Sequence, residues 1–135
     1  STRFTAHSSG AVLDNKTNLI WKKCFEGQSG DQCEGEVALL NWGQALVYAS
    51  AEKASDSGWR LPNIRELGSI VELRCTNPAI NSDVFANLSA QHVWSSSPYQ
   101  FYTHYSWYLD LSNGATTYDE RISEKALLLV KSNRE

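Results

Sequence analysis

The 135-residue chain has no methionine, only three cysteines and three prolines, and no apolar run of bilayer-spanning length. Its apolar run Ala126 to Val130 is strand-sized, far short of the ~18 residues a membrane helix needs, so no membrane insertion is expected. An excess of positive charge is also missing. Twelve Lys and Arg against fifteen Asp and Glu leave a net charge of −3. Nucleic-acid affinity would need a basic face, so nucleic acid is excluded and sugars and proteins remain as partners. At 41% hydrophobic and 20% charged residues, the chain is too apolar for intrinsic disorder. No Gly-x-Ser-x-Gly turn occurs, and His7, His92 and His104 sit on unrelated polar segments, so no catalytic triad and no enzyme is expected. The missing methionine leads us to expect a processed chain or a domain cut from a longer one.

What is present begins with size. A chain of this length buries roughly two thirds of its unfolded surface, enough for one core, so one domain is expected over residues 1–135. Five Trp, six Tyr and four Phe exceed what a small core usually holds, and Tyr and Trp are recognition residues. Cys24 and Cys33 bracket a Gly-, Gln- and Asp-rich segment with no helical or strand period. A disulfide would order that segment, contribute about 2.5–3 kcal/mol and place the chain outside the cytosol. Buried free thiols or a metal site are the alternatives. Cys75 is then a buried thiol, or the partner of a cysteine elsewhere.

Along the chain, Gly10 to Trp21 reads as a β-hairpin turning through Asp14 to Asn18. Asn41 and Gln44 form a capping-box pair before the stripe Trp42, Ala45, Leu46 and Ala49, a helix ending before Gly58. Asn63 and Glu66 repeat the signature ahead of Leu67, Ile70, Val71 and the stem of Arg74. Short strands follow. Val93 to Ser95 is one, ended by a Ser95 to Pro98 break, and Tyr105 to Leu111 is another, with Trp107, Leu109 and Leu111 on one side. Asn113-Gly114 signals a hairpin, and Ala126 to Val130 reads as a strand covered on both faces. The order gives an α+β domain.

Several segments in order carry a family resemblance. They are Trp21 to Cys24, Trp42 with Gln44 to Leu46, Gly58 to Leu67, Pro78 to Asn81, Val84-Phe85 and Val93 to Tyr99. Together they resemble the C-terminal domain of the Legionella collagen-like adhesin family, from Gly10 to about Lys131. Gly58 to Leu67 is also similar to the second-helix start of formylglycine-generating enzymes and of retroelement variable proteins. The resemblance implies a C-type-lectin-like fold: termini near each other on a hairpin, two helices packed on antiparallel strands, and long loops. It also implies an extracellular, cell-surface adhesin that trimerises and binds sulfated glycans. Lys22/Lys23 and Lys125/Lys131/Arg134 are the local basic groupings, and we read both as solvated faces. Formylglycine-generating catalysis needs paired cysteines near the C-terminal end, which this chain does not have.

The aromatic surplus concentrates in Tyr99, Phe101, Tyr102, His104 and Tyr105, after a proline and without a strand period. Such a loop displays a stacking platform with hydroxyl handles for a glycan or a host or bacterial surface protein; an aromatic core or trimer contact is the alternative. Tyr108, Tyr118, Asp119, Glu120 and Arg121 are expected to extend that surface across the hairpin. No cofactor and no metal is expected. Asp110, Asn113, Asp119 and Glu120 have the oxygens calcium prefers, but without the Glu-Pro-Asn and Trp-Asn-Asp signatures of calcium-dependent lectins they read as turn and solvated residues.

Overall fold

The computed structural model describes residues 3–7, 10–54, 58–82, 84–85 and 87–133, apart from the side chains of residues 53 and 54. Arg134, counted above in a basic grouping, and Asp83 lie outside the described residues. The expected first hairpin forms from β2 (Ala11–Asp14) and β3 (Leu19–Lys22). β1 (Phe4–Ala6) pairs with β2, and β7 (Val130–Ser132) with β3, completing an antiparallel sheet of order β1-β2-β3-β7. Both ends of the described chain meet the hairpin turn. Asn15 N–H donates to the Arg3 carbonyl at 2.7 Å, and Asn133 N–H to the Asn18 carbonyl at 3.2 Å.

Under that turn the Asp14 carboxylate is fully buried. It accepts from Arg3 Nε at 2.9 Å, Arg3 Nη2 at 2.8 Å and Lys16 N–H at 3.0 Å. Burial alone would raise its pKa, but the Arg3 and Lys16 donors outweigh burial and hold it below the ordinary 3.8.

The segment after β3 is ordered as expected by a Cys24–Cys33 disulfide, Cα–Cα 5.4 Å. Inside that loop, Phe25 is fully buried and the Glu26 carboxylate accepts from the Tyr48 hydroxyl at 2.6 Å. Gly27, at φ +95°, lets two backbones touch: a Cβ there would lie 2.5 Å from the Glu36 carbonyl oxygen. Cys75 is a half-buried free thiol.

Helix α1 (Trp42–Ala54) has the reciprocal capping box, with Gln44 N–H to Asn41 Oδ1 at 2.9 Å and Asn41 N–H to Gln44 Oε1 at 3.0 Å. Ala45 and Ala49 face the core and Val47 faces out. Helix α2 (Ile64–Ser69) has the second box, on Asn63 and Glu66, but is shorter than expected. Gly68 and Ser69 are weak helix formers, and Ser69 Oγ donates to the Glu66 carbonyl at 2.6 Å. The chain then leaves the helix to bridge Val71 with Ile80, so Arg74 is exposed beside Glu72 instead of lining the buried face. Arg60 clamps Glu66 through two hydrogen bonds of 2.8 and 2.7 Å.

β4 (His92–Pro98), β5 (Tyr105–Asp110) and β6 (Ala115–Glu120) form the second antiparallel sheet. The serines after Trp94 do not end β4 as expected. Ser95 Oγ donates to the Trp107 carbonyl at 2.7 Å and accepts from Ser97 N–H at 3.1 Å, so the strand runs on through an irregular register to Pro98. The β5–β6 hairpin forms, its ladder closing on the Asp110–Ala115 pair. Gly114, at φ +83°, is required there, because a Cβ would stand 2.7 Å from Val71 Cγ1.

Between the sheets run residues 126–130, buried throughout. Both faces are covered, as expected, but only Val130 belongs to a regular strand. Ala126, Leu128 and Val130 join a core with Val12, Trp21, Phe25, Leu67, Phe85 and Leu109. Leu127 and Leu129 join a second with Ala45, Ala49, Leu61 and Trp94. Among the described residues, two helices and two antiparallel sheets make the fold α+β, consistent with a C-type-lectin-like arrangement.

Leu128→Ala removes a side chain buried at this centre and is expected to cost about 2–5 kcal/mol in urea unfolding. Because the Asp14 pKa is lower folded than unfolded, its stabilisation is complete above the unfolded value and is lost as pH falls through the folded one. Asp14→Asn should therefore lower the melting temperature at pH 7 and flatten its fall below about pH 4.

Candidate functional site

The β4–β5 connection closes on itself: Tyr99 N–H donates to the Tyr105 carbonyl at 3.1 Å and Tyr105 N–H to the Tyr102 carbonyl at 3.2 Å. Its rings then meet two strand residues. Trp107 and Tyr118 are cross-strand partners on β5 and β6, on the face toward the loop. Tyr99 is the hub, stacked on Tyr118 at 4.0 Å with an 18° interplanar angle. Its centroid lies 5.2 Å from Trp107, 5.4 Å from Phe101 and 5.8 Å from Tyr102. Tyr105 adds contacts of 5.4 Å to Tyr102 and 5.9 Å to Tyr118. Each such pair is worth about 0.5–1.5 kcal/mol beyond area burial.

The cluster is not a closed core. Phe101 is 71% exposed, Tyr102 56% and Tyr118 41%, over half-buried Tyr99, Tyr105 and Trp107. Desolvation and the neighbouring Tyr118 hydroxyl raise the Tyr99 hydroxyl pKa, keeping this phenol an uncharged donor and acceptor. Chemically the face offers ring planes and hydroxyls.

The other residues expected here divide. His104 is exposed, and its carbonyl accepts from Arg121 N–H at 2.8 Å. Tyr108 points to the other face of the sheet, 6.3 Å from Trp94 and 5.0 Å from His92. Its hydroxyl pKa is raised by burial and by Asp119 and Asp110. Asp119 accepts from Lys125 Nζ at 2.7 Å; burial opposes and Lys125 outweighs, leaving its carboxyl below the ordinary range. Lys125 itself is 3% exposed, its ammonium 4.0 Å from the Tyr108 ring centre and 5.0 Å from that of Trp94. It is thus an interior cation, contrary to the solvated face expected for it, because its backbone pairs with Leu40 and draws the side chain inward. Glu120 is exposed and pairs in register with Tyr105. Arg121 is a latch: its Nε donates to the Tyr105 carbonyl at 3.0 Å and to Ser106 Oγ at 2.9 Å, and its guanidinium sits 4.4 Å from the Trp42 ring centre.

The sequence reading missed Trp107 as a member of the cluster. Its alternation with Leu109 suggested core, whereas the Asn113-Gly114 hairpin, once its register is counted, sets it against Tyr118. Of the oxygen donors considered for calcium, Asp110 Oδ1 accepts from Ser112 N–H and Oγ, and Asn113 Oδ1 from Ala115 N–H. Among the described residues no group of three or more His, Cys, Asp or Glu is placed to hold a metal ion. A separate cleft of about 170 Å³ beside the disulfide loop is lined by Lys22, Glu26, Gln28 and Asp31, with Lys22 and Glu26 paired at 3.1 Å.

The family model of the Lcl C-terminal domain matches residues 10–131, a span that holds both cores, the disulfide loop and every ring of the cluster. The chain belongs to the Lcl C-terminal domain family. No curated protein matches it. Lcl C-terminal domains are associated with surface adhesins, and that association, with the Cys24–Cys33 disulfide, suggests an extracellular or surface location. Among the described residues no helix is long and apolar enough to cross a membrane. Within this Lcl domain, Arg121→Ala should cost about 1–3 kcal/mol by leaving the buried Ser106 hydroxyl without this donor and the Tyr105 carbonyl with Tyr99 N–H alone. Arg121→Lys, with a point charge in place of a planar fork, should recover only part of that loss in the same urea titration.

Proposed function

We propose that the domain is a non-catalytic recognition module of a surface adhesin, holding glycans or host-surface molecules on the face of Tyr99, Phe101, Tyr102, Tyr105, Trp107 and Tyr118. The observation that carries this reading is the exposure of three rings over a rigid aromatic floor, a surface that internal packing does not require. Sugar rings stack their C–H faces on such planes, and phenol hydroxyls then pair with sugar hydroxyls. In this reading the ligand is bound without turnover.

A second reading, an assembly module such as a homotrimer subunit, is supported by exposed Leu39, Val47 and Ile122, which lie 47%, 71% and 79% open to solvent. Leu39 and Ile122 flank the contacts that join Leu40 to Lys125 and Trp42 to Arg121. The double substitution Phe101→Ala/Tyr102→Ala separates the two. Recognition on this face predicts loss of glycan or cell-surface binding with the cooperative unfolding transition retained, its melting temperature lowered only by the ring pairs that Phe101 and Tyr102 make with Tyr99, Tyr105 and Tyr118. Assembly through Leu39, Val47 and Ile122 predicts instead that Val47→Ser/Ile122→Ser lowers the oligomer mass by analytical ultracentrifugation, while Phe101→Ala/Tyr102→Ala leaves both that mass and surface binding unchanged.

A further inference from the structure

A sheet edge must have its outward backbone groups met, hidden or interrupted, because an open row of N–H and C=O groups templates another strand. Along β4 the outward groups are met from within the chain: Ala126 N–H donates to the His92 carbonyl, Trp94 N–H to the Ala126 carbonyl and Ser96 N–H to the Pro62 carbonyl. On β7, Val130 exchanges both bonds with Arg60 at 2.9 Å, and β1 is three residues long. The edge at β6 differs. It runs for six residues, paired with β5 in an unbroken register and without lysine or proline. Arg121 N–H donates to the His104 carbonyl at 2.8 Å, one step beyond the Tyr105–Glu120 pair, so Thr117 and Asp119 bond to β5 while Thr116, Tyr118 and Glu120 turn their backbone outward. Glu120 is met locally, its N–H by Asp119 Oδ1 at 2.8 Å and its carbonyl by Ser123 N–H at 3.0 Å. Among the described residues, nothing bonds the backbone N–H or C=O of Thr116 or Tyr118, and both residues are exposed.

We propose that β6 is a docking edge for an extended peptide segment of a partner protein, which adds a strand to the sheet through Thr116 and Tyr118. The N–H and C=O groups of alternate residues are what one strand offers another, and a peptide backbone meets them all at once. Side chains beside the edge set the partner's chemistry. At one end exposed Glu120 favours a basic residue opposite it. Next along the same face come the partly exposed rings of Tyr118 and Tyr102, 6.5 Å apart, against which an apolar or aromatic residue packs. At the hairpin end Leu73, 78% exposed, lies beside Gly114, its Cδ2 3.4 Å from where a Cβ would stand, and offers a second apolar contact. The segment that fits is extended and free of proline where it bonds, with one basic and two apolar side chains on a single face. This docking stands on the strand edge and is independent of what the rings hold.

The probe is a phage-displayed library of random linear peptides selected on the whole chain, its hits resynthesised and titrated by fluorescence anisotropy. We expect hits rich in β-branched and aromatic residues, with a basic residue, whose binding weakens more than about tenfold on Thr116→Pro, a change that deletes an outward N–H and no bond to β5. N-methylation scanned along the backbone of a hit should weaken binding at alternate residues and spare those between, because one parity faces β6. By NMR hydrogen exchange, the Thr116 and Tyr118 amides should exchange faster than those of Thr117 and Asp119 in the free chain, and slow by more than about tenfold with peptide bound. If Thr116→Pro unfolds the chain, the methylation scan and the exchange rates of the parent decide. Recovery of no peptide above background, hits indifferent to N-methylation, or hits indifferent to Thr116→Pro while that variant stays folded, would overturn the proposal. Self-association of the parent that Thr116→Pro abolishes, with no peptide recovered, would assign the edge to a second copy of the chain and overturn the peptide partner.

Discussion

The fold depends on keeping the backbone of residues 125–130 satisfied while it is buried between two hydrophobic clusters. A buried peptide group without a partner costs about 1–3 kcal/mol, so each must be matched. The matches come from every part of the chain: Leu40, His92, Trp94, Glu26, Lys22 and Arg60 all exchange backbone hydrogen bonds with this segment. Side-chain parity does the rest. Even-numbered residues 126, 128 and 130 fill one core and the odd-numbered Leu127 and Leu129 the other, so a slip of one residue would misplace all five.

That constraint reaches the aromatic face through Lys125 and Arg121. The inward pull on residue 125 buries an ammonium that Asp119 and two aromatic rings must then accommodate. Four residues earlier, Arg121 ties the start of this return segment to β5 and to α1. Basic groups are consumed as internal fasteners, and Lys131 and Lys22, over the ring of Trp59, follow the same pattern. What remains on the Trp107 and Tyr118 side of β5 and β6 is ring surface and hydroxyls, with exposed Glu120 at the edge.

Local signals in the sequence were legible: both capping boxes, both hairpins and the cysteine loop depend on residues within a few positions of each other. The contiguous part of the aromatic cluster, Tyr99 to Tyr105, could be read for the same reason. Features set by distant partners could not. The burial of Lys125 depends on Leu40, and the continuation of β4 through its serines depends on the Trp107 carbonyl. Residues 126–130 were rightly read as covered on both faces, yet their hydrogen bonds are divided among several neighbours instead of following one strand. Tyr108 illustrates how narrow the margin is: one step along β5 from Trp107, it lies on the opposite face of the sheet.

The hydrogen bond from Tyr99 N–H to the Tyr105 carbonyl is a neck that separates two kinds of residue. Inside the neck, Gln100, Phe101, Tyr102, Thr103 and His104 are exposed; below it, Ser95, Ser106 and Leu109 are fully buried. Mutations inside the neck therefore meet little resistance from the folding equilibrium, while those below it are penalised at once. On the proposed reading, such a partition lets the binding chemistry of this short loop change at less cost in stability than any change in the strands beneath it.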